Sequence, residues 1–504
     1  MAKEHKALFN TDHLRSGLKA HSLRGGFWTL TSHSSMFVLR IISVAVLARL
    51  LSPDDFGLLA MVLTLTAFAD LFKDIGLSTA TIQRQTITHE QISNLFWVNL
   101  VAGLLTMSAV LMLAPLMVRF YGDGRLLLVT ALLSINFLFG GLTVQHQALL
   151  KRQMRFARVA IAEISAFALS LIIAIILAMR WRDTPMSHMA LVYMSVARCF
   201  FLMVGMWLLC RWFPGLPGRG TGVRSMLRYG THVTGFNLIN YFARNLDRIL
   251  IGRHCGAGPL GFYSKAYQFL LLPVQQFRIP LVSVAMPALS ALQEQHEKYR
   301  WYVRKIIAML AFVTMPLMAF LGVCADLVVR VFFGGQWEEA IPIFRVLSIL
   351  GFVQPVAGMC GLVLLTLGKS KKYLYFGIMN SSLIAASFLL GIQKGAIGVA
   401  CAYTVVSYVS LLPLWKYCFS GTPVSPSLFL RAIKLPAITS MLMGLILLFG
   451  RRFGGYTSPA LVEMLGAAFV GVVLYIAFYS ATEAGRAFIV ACLSDAKLML
   501  RQSA

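Results

Sequence analysis

The chain has 504 residues, of which 58% are hydrophobic and only 13% charged, and its mean hydropathy is +0.75. A soluble protein of this length has roughly a quarter of its residues charged, so a soluble globular enzyme is excluded and an all-α polytopic membrane protein is expected. The net charge of +26, from 45 Lys and Arg against 19 Asp and Glu, sits mostly in short loops between apolar stretches. That is the placement the positive-inside rule gives, rather than a nucleic-acid surface, so no nucleic-acid partner is expected.

Residues 1–24 form a polar segment with no short apolar run ending in a small-residue cleavage site, so no removable signal is expected. A helix needs roughly 20 apolar residues to span a bilayer, and about fourteen such stretches follow. They lie near 25–51, 55–73, 94–118, 125–147, 158–179, 187–211, 229–252, 258–291, 304–330, 340–367, 372–392, 395–418, 427–450 and 457–481. The eighth holds Pro273, Pro280 and Pro287 and is too long for one straight span, so a kinked helix reaching beyond the hydrocarbon is expected.

These stretches group as an N-lobe of six spans (25–212), a Pro/Gly/Arg-rich linker (213–228), a C-lobe of six spans (229–420), two extra spans (421–482) and a polar tail (483–504). Two pseudo-symmetric six-helix lobes plus two C-terminal helices are therefore expected. A repeat supports the symmetry. A shift of 204 residues carries Gly26 onto Gly230, Arg40 onto Arg244, Arg49 onto Arg253 and Gly57 onto Gly261. So long an offset points to duplicated membrane halves rather than a solenoid.

The basic clusters Lys151/Arg152/Arg155/Arg158, Arg219/Arg224/Arg228, Lys298/Arg300/Arg304/Lys305 and Lys369/Lys371/Lys372 then fall on one side of the membrane. They place both termini in the cytoplasm, with Asp54, Gly122 and Gly454 outside.

A charge at the bilayer centre costs roughly 2.5–3.5 kcal/mol on insertion scales. Arg40, Arg198, Arg244, Arg248, Lys265, Arg278 and Arg345 fall inside predicted spans, with only Glu163 and Asp247 as interior acids. Facing lipid, those cations would together cost on the order of 20 kcal/mol, so they must face a polar cavity, pair with anions or reach an interface. Two acids cannot neutralise them all, which leaves a net positive interior. In the seventh stretch Asn237, Asn240, Tyr241, Arg244 and Arg248 recur at three- and four-residue spacing and share one face. Two guanidinium groups on a polar stripe suit a phosphate or diphosphate. An intrahelical Arg244–Asp247 pair is the structural alternative. Arg40 stands at the equivalent place in the first span, with His33 and Phe37 on its face. Arg198 either joins the cavity or pairs with Glu163. Lys265, Arg278 and Arg345 lie near helix ends, where snorkelling to the interface is expected.

Other chemistry leaves no trace. The eight cysteines stand singly without a CxxC pair, so neither a metal site nor a disulfide framework is expected. Gly368-Lys369-Ser370 resembles the end of a phosphate-binding loop, but Val363 stands where its leading glycine is needed. No cofactor and no catalytic constellation is expected.

Leu47-Ala48-Arg49-Leu50-Leu51-Ser52-Pro53-Asp54-Asp55-Phe56-Gly57, Asp74-Ile75-Gly76-Leu77 and Gln147-Ala148-Leu149-Leu150 resemble the signature of bacterial polysaccharide exporters. So do Met154-Arg155-Phe156, Leu246-Asp247-Arg248-Ile249-Leu250-Ile251-Gly252, Leu260-Gly261-Phe262-Tyr263-Ser264 and Gly334-Gly335-Gln336-Trp337-Glu338-Glu339-Ala340. These are the Wzx-type flippases of the multidrug/oligosaccharidyl-lipid/polysaccharide superfamily, and the likeness is greatest to the branch serving colanic acid and other exopolysaccharides. The resemblance implies two six-helix lobes around a central cavity. It implies translocation of undecaprenyl-diphosphate-linked oligosaccharide across the bacterial inner membrane by alternating access, for exopolysaccharide or lipopolysaccharide biosynthesis, without covalent catalysis. A polysaccharide polymerase and chain-length or export machinery are the partners it suggests. A flippase of the peptidoglycan-precursor lipid is the alternative. A cation-coupled drug exporter fits less well, because its cavity would need acids.

Overall fold

A computed structural model describes residues 18–74, 77–84, 87–218, 245–453 and 459–503. Among these the regular structure is helical, without strands. The chain divides into two compact units, Met1–Ser264 and Lys265–Ala504.

The first unit holds α1 (Leu18–Leu50), α2 (Pro53–Asp74), α3 (Leu77–Gln83), α4 (His89–Tyr121), α5 (Leu126–Arg152), α6 (Phe156–Arg180) and α7 (Met189–Cys210). It also holds α8 at 245–255 and the start of α9 (Ala257–Ala291). The helix ends are set locally. Thr88 and Gln91 form a capping box that opens α4, and Gly122, at φ 76°, closes it in the left-handed region. Ser52 donates its backbone N–H and its Oγ–H to Asp55 Oδ2, each at 2.8 Å, and its Oγ accepts from the Asp55 N–H at 3.3 Å. Pro53 fills the first helical position of α2, where a missing N–H costs nothing.

α4 lies along α5, α6 along α7, and α1 along α6, while α2 packs on α4 and α5. The α4–α5 approach is close because a Cβ on Gly103 would stand 2.6 Å from the Phe137 carbonyl oxygen, and one on Gly141 2.6 Å from that of Asn99. Such small-residue contacts let helices associate where the hydrophobic effect gives little help. The first residues of the expected linker lie against α4. The Trp212 Nε1–H donates to His89 Nδ1 at 3.1 Å, and the Trp97 Nε1–H donates to the Gly215 carbonyl at 2.8 Å. Asn94 both accepts from and donates to the Gly218 backbone, at 2.8 and 2.7 Å.

The second unit continues α9 and adds α10 (His296–Val323), α11 (Ala325–Phe332), α12 (Ala340–Ala357), α13 (Met359–Thr366), α14 (Ser370–Gly391), α15 (Gly395–Val409) and α16 (Leu411–Phe419). Then come α17 (Pro426–Phe453), α18 (Ala460–Ser480) and α19 (Glu483–Ser503). α17 packs along α10, and α18 along α17. α9 runs through its three prolines for 35 residues, about 52 Å at 1.5 Å per residue, so it exceeds a hydrocarbon core of roughly 30 Å. The expected tail is helical, forming α19. Its Phe488 and Ile489 pack with Phe312 and Tyr479.

Eleven segments among the described residues are long and apolar enough to span a membrane, against fourteen expected over the whole chain. One of them, Ser370–Val409, contains both α14 and α15, joined by a 3-10 turn at Ile392–Lys394. α2, a 22-residue helix, covers the expected stretch 55–73. Most of the expected seventh span lies outside the described residues.

The repeated turn makes its contact inside the first unit. A Cβ on Gly57 would run into the Ala257 carbonyl oxygen, and one on Gly261 into the Pro53 carbonyl oxygen. The 204-residue shift carries Pro53 onto Ala257 and Gly57 onto Gly261, so each copy offers its glycine to the other's helix-opening carbonyl. Gly57→Ala and Gly261→Ala should each cost about 1–3 kcal/mol through overpacking and lower the melting temperature of the purified protein. Gly124→Ala, where an added methyl meets nothing within 4 Å, should leave it unchanged.

Candidate functional site

The sequence-predicted cations divide into those brought together, those given partners elsewhere and those outside the described residues. Arg40 on α1, Glu163 on α6 and Arg198 on α7 belong to one cluster, because α6 packs against both α1 and α7. Arg198 lies within electrostatic reach of both Arg40 and Glu163. It stands deep among protein atoms, and its side chain keeps accessible surface. Its guanidinium lies 5.3 Å from the centroid of the Phe167 ring, a cation–π arrangement.

The Arg198–Glu163 ion pair considered from the sequence is not formed. Glu163 instead accepts at Oε1 from the Gln147 Nε2–H of α5 at 3.1 Å. Among the described residues no carboxylate lies within 4 Å of either Arg40 or Arg198. Two guanidinium groups and one amide-bonded carboxylate thus stand among apolar spans with a net positive charge. Low dielectric strengthens the pull of such a group on an anion. Gln147 stood in the sequence only as part of the Gln147–Leu150 signature, not as a partner of Glu163. Only its position one turn before Lys151, near the end of α5, hinted at a polar role.

Asn237, Asn240, Tyr241 and Arg244 lie outside the described residues. Arg248, on the same stretch, is half-buried and reaches Asn245 Oδ1 at 3.4 Å. Asp247 is buried, and both its oxygens are engaged. Oδ1 accepts from the Arg248 N–H at 2.8 Å, and Oδ2 from the Tyr263 hydroxyl at 2.9 Å. Tyr263, itself fully buried, is therefore the tertiary partner of the interior acid. Sequence reasoning missed it because it lies on the next helix.

The three cations expected to snorkel have specific neighbours. Lys265 donates to Gln268 Oε1 at 3.1 Å, and Arg345 pairs with Asp326 at 3.7 Å. Asp326 also holds Arg451 of α17 through two bonds, at 3.0 and 2.6 Å. Arg278 comes close to the backbone at Gly358. A polar group of the second unit also went unread in the sequence. Gln354 Nε2 donates to the hydroxyls of Tyr267 and Tyr403, at 3.1 and 3.0 Å. No group of His, Cys, Asp or Glu that could hold a metal occurs among the described residues.

Residues 46–342 match the family described as Polysaccharide biosynthesis protein. The chain is 28% identical over 435 residues to the teichuronic acid biosynthesis protein TuaB of Bacillus subtilis (strain 168), covering 84% of this chain and 88% of that one. It is 26% identical over 397 residues to the lipopolysaccharide biosynthesis protein WzxC of Escherichia coli (strain K12), covering 78% and 80%. With the succinoglycan biosynthesis transport protein ExoT of Rhizobium meliloti (strain 1021) it shares 24% identity over 467 residues, covering 90% and 92%.

Among solved structures, the lipid II flippase MurJ in an inward closed conformation superposes with a TM-score of 0.71 at 13% identity, covering 91% of this chain and 98% of that one. An inward-facing multidrug resistance MATE family transporter of the MOP superfamily gives 0.56 at 13% identity, covering 83% and 96%. At such identities the likeness establishes the fold.

Removing the Tyr263 hydroxyl would leave a buried acceptor of Asp247 unpaired. Tyr263→Phe should therefore lower stability by about 1–3 kcal/mol, read as thermal unfolding. Adding Asp247→Asn should recover part of that loss, because a neutral amide is cheaper to bury than a carboxylate.

Proposed function

The chain belongs to the family of polysaccharide biosynthesis proteins that it matches over more than half its length, and from this premise we propose that it is a lipid-linked oligosaccharide flippase. It carries undecaprenyl-diphosphate-linked repeat units across the bacterial inner membrane by alternating access and leaves them chemically unchanged. The relatives named for lipopolysaccharide, teichuronic acid and succinoglycan biosynthesis, the last as a transport protein, support the class of cargo. Both termini are cytoplasmic, in keeping with the charge bias of the loops. A polysaccharide polymerase and chain-length machinery take the product on the outer side.

The observation that carries the reading is the cluster of Arg40 and Arg198 beside Glu163. Two guanidinium groups with no carboxylate within 4 Å among the described residues repel each other in a medium of low dielectric, and a diphosphate bridging them removes that repulsion. Guanidinium also matches phosphate geometrically, because its N–H groups form a planar fork that bonds two oxygens at once. Glu163, with one oxygen engaged by Gln147, keeps acceptor capacity for a sugar hydroxyl. By the repeat, Arg244 supplies the equivalent of Arg40, and Asn237, Asn240, Tyr241 and Arg248 continue the polar stripe. The lipid tail stays in the bilayer throughout. A membrane potential negative inside favours outward movement of the anion by about 2.3 kcal/mol per charge per 100 mV.

The test is export per molecule of inserted protein. Arg40→Ala and Arg198→Ala should each reduce it by about tenfold or more, the loss of one charge-assisted hydrogen bond, while the protein remains inserted. Arg40→Lys and Arg198→Lys should rescue only in part, since the charge is kept and the fork is lost. Normal export by both alanine variants would remove this cluster from the substrate path. In liposomes, movement of the peptidoglycan-precursor lipid without movement of an oligosaccharide-linked lipid would reassign the cargo, and covalent change of the lipid would overturn the flippase reading.

A further inference from the structure

At one end of the first unit, charged groups from three places in the chain surround a buried histidine. Asp54 and Asp55 open α2, Asp123 and Arg125 form the turn before α5, and Ser187 and His188 precede α7. Arg125 takes up two of the carboxylates, reaching Asp54 Oδ2 at 2.7 Å and Asp123 Oδ2 at 2.7 Å. Its hydrogen bonds and charge hold the Asp123 carboxyl below the usual carboxylate range. Asp55 is occupied as well. Its Oδ2 accepts from the Ser52 N–H and hydroxyl, and its Oδ1 from the Ser187 hydroxyl at 2.7 Å. The nearby Arg182 and Asp183 pair with each other at the surface.

His188 is only 7% exposed, and its Nδ1 is sealed from solvent without a hydrogen-bond partner. Asp54, Asp55, Asp123 and Arg125 are the charges that act on it. Three carboxylates against one guanidinium would ordinarily invite a second cation. Here each carboxylate already has a partner, and none bonds Nδ1. Burial therefore dominates and pushes the imidazole below its ordinary 6.5, with the three aspartates opposing and Arg125 adding to the effect.

We infer that His188 is a proton-operated latch on the Ser52–Gly57 turn. With the imidazole neutral and buried, the Ser187–Asp55 bond holds the opening of α2 against the start of α7. A proton binds more strongly to His188 when it is exposed to water than in this seat, so acidification favours the conformation in which the imidazole has left it. That conformation gives up the Ser187–Asp55 bond and frees the turn whose Pro53 and Gly57 seat against Gly261 and Ala257. The sign follows from the lowered value. The latch is fully stable above about 6.5 and is lost as pH falls through the buried histidine's own, lower value. The flippase reading is not needed for this inference, and the test requires no transport.

The test is amide hydrogen exchange on the intact protein in nanodiscs between pH 7.5 and 5, corrected for the intrinsic pH dependence of exchange. In the unaltered protein, protection of peptides covering 51–57 and 186–192 should fall together below about pH 6.5, by up to tenfold per pH unit. In His188→Gln, which keeps a polar side chain but cannot titrate in this range, protection of both should be flat. The same decline in His188→Gln, or none in the unaltered protein, would overturn the proposal. Should His188→Gln fail to accumulate, exchange at the imidazole C2 position in the unaltered protein gives the titration of His188 directly. A midpoint below 6.5 supports the latch, and one at or above 6.5 overturns it.

Discussion

Two backbone carbonyls, those of Pro53 and Ala257, leave no room for a side chain at the positions opposite them in the first unit. Each is the oxygen that a β-carbon at the opposing glycine, Gly261 or Gly57, would strike. Around that contact the motif residues have separate local tasks. Ser52 and Asp55 cap α2, and Pro53 supplies its first turn. Phe56 and Leu58 are buried behind the turn, while Leu260 and Tyr263 are buried behind its counterpart. Gly256, at φ 84°, takes the left-handed conformation that lets α8 end and α9 begin. The repeat therefore has a geometric meaning. Equivalent residues meet their counterparts reciprocally, as they do about a local two-fold axis.

The basic residues of the short connections do more than orient the chain. Arg152 is buried and donates to the carbonyls of Thr81, Ile82 and Arg84 at the end of α3. Arg158 reaches the Leu209 carbonyl in the last turn of α7, and Arg451 the Val323 carbonyl at the end of α10. Lys369 and Lys372 donate to the Gly421 and Ser420 carbonyls just past α16. The final carbonyls of a helix have no partner within it and carry partial negative charge, so a cation placed there satisfies both needs. Arg152, Arg158, Lys369 and Lys372, which read as topology signals in the sequence, thus serve as helix caps as well.

Interior charge is handled in two ways. Asp247 is enclosed, with both oxygens hydrogen-bonded, and Asp326 collects Arg451 and Arg345. Arg40 and Arg198 are not neutralised in this manner, and their cluster keeps accessible surface. A cation left accessible among apolar spans costs free energy unless a ligand or water compensates it. The residual charge, rather than the total, is therefore what distinguishes this cluster from the other interior charges.

Much of this was legible in the amino-acid order alone. Hydropathy over windows of about twenty residues depends only on local composition, so most of the described spans were readable, as was the break at Gly391–Gly395. α10 nevertheless begins at His296 rather than near 304, and neither α3 nor α19 was foreseen. Capping residues such as Thr88, Gln91, Ser52 and Pro53 act within one turn and are equally readable. The 204-residue repeat could be seen without coordinates, although the meeting of Gly57 with Ala257 could not. Tertiary structure alone decided which partner each buried polar group took: Glu163 with Gln147 rather than Arg198, Asp247 with Tyr263, Asp326 with Arg451. Such pairings join helices far apart in sequence, and hydropathy carries no record of which helix lies beside which. They are settled only when packing brings particular faces together, where each buried donor or acceptor must be satisfied by whatever that contact supplies.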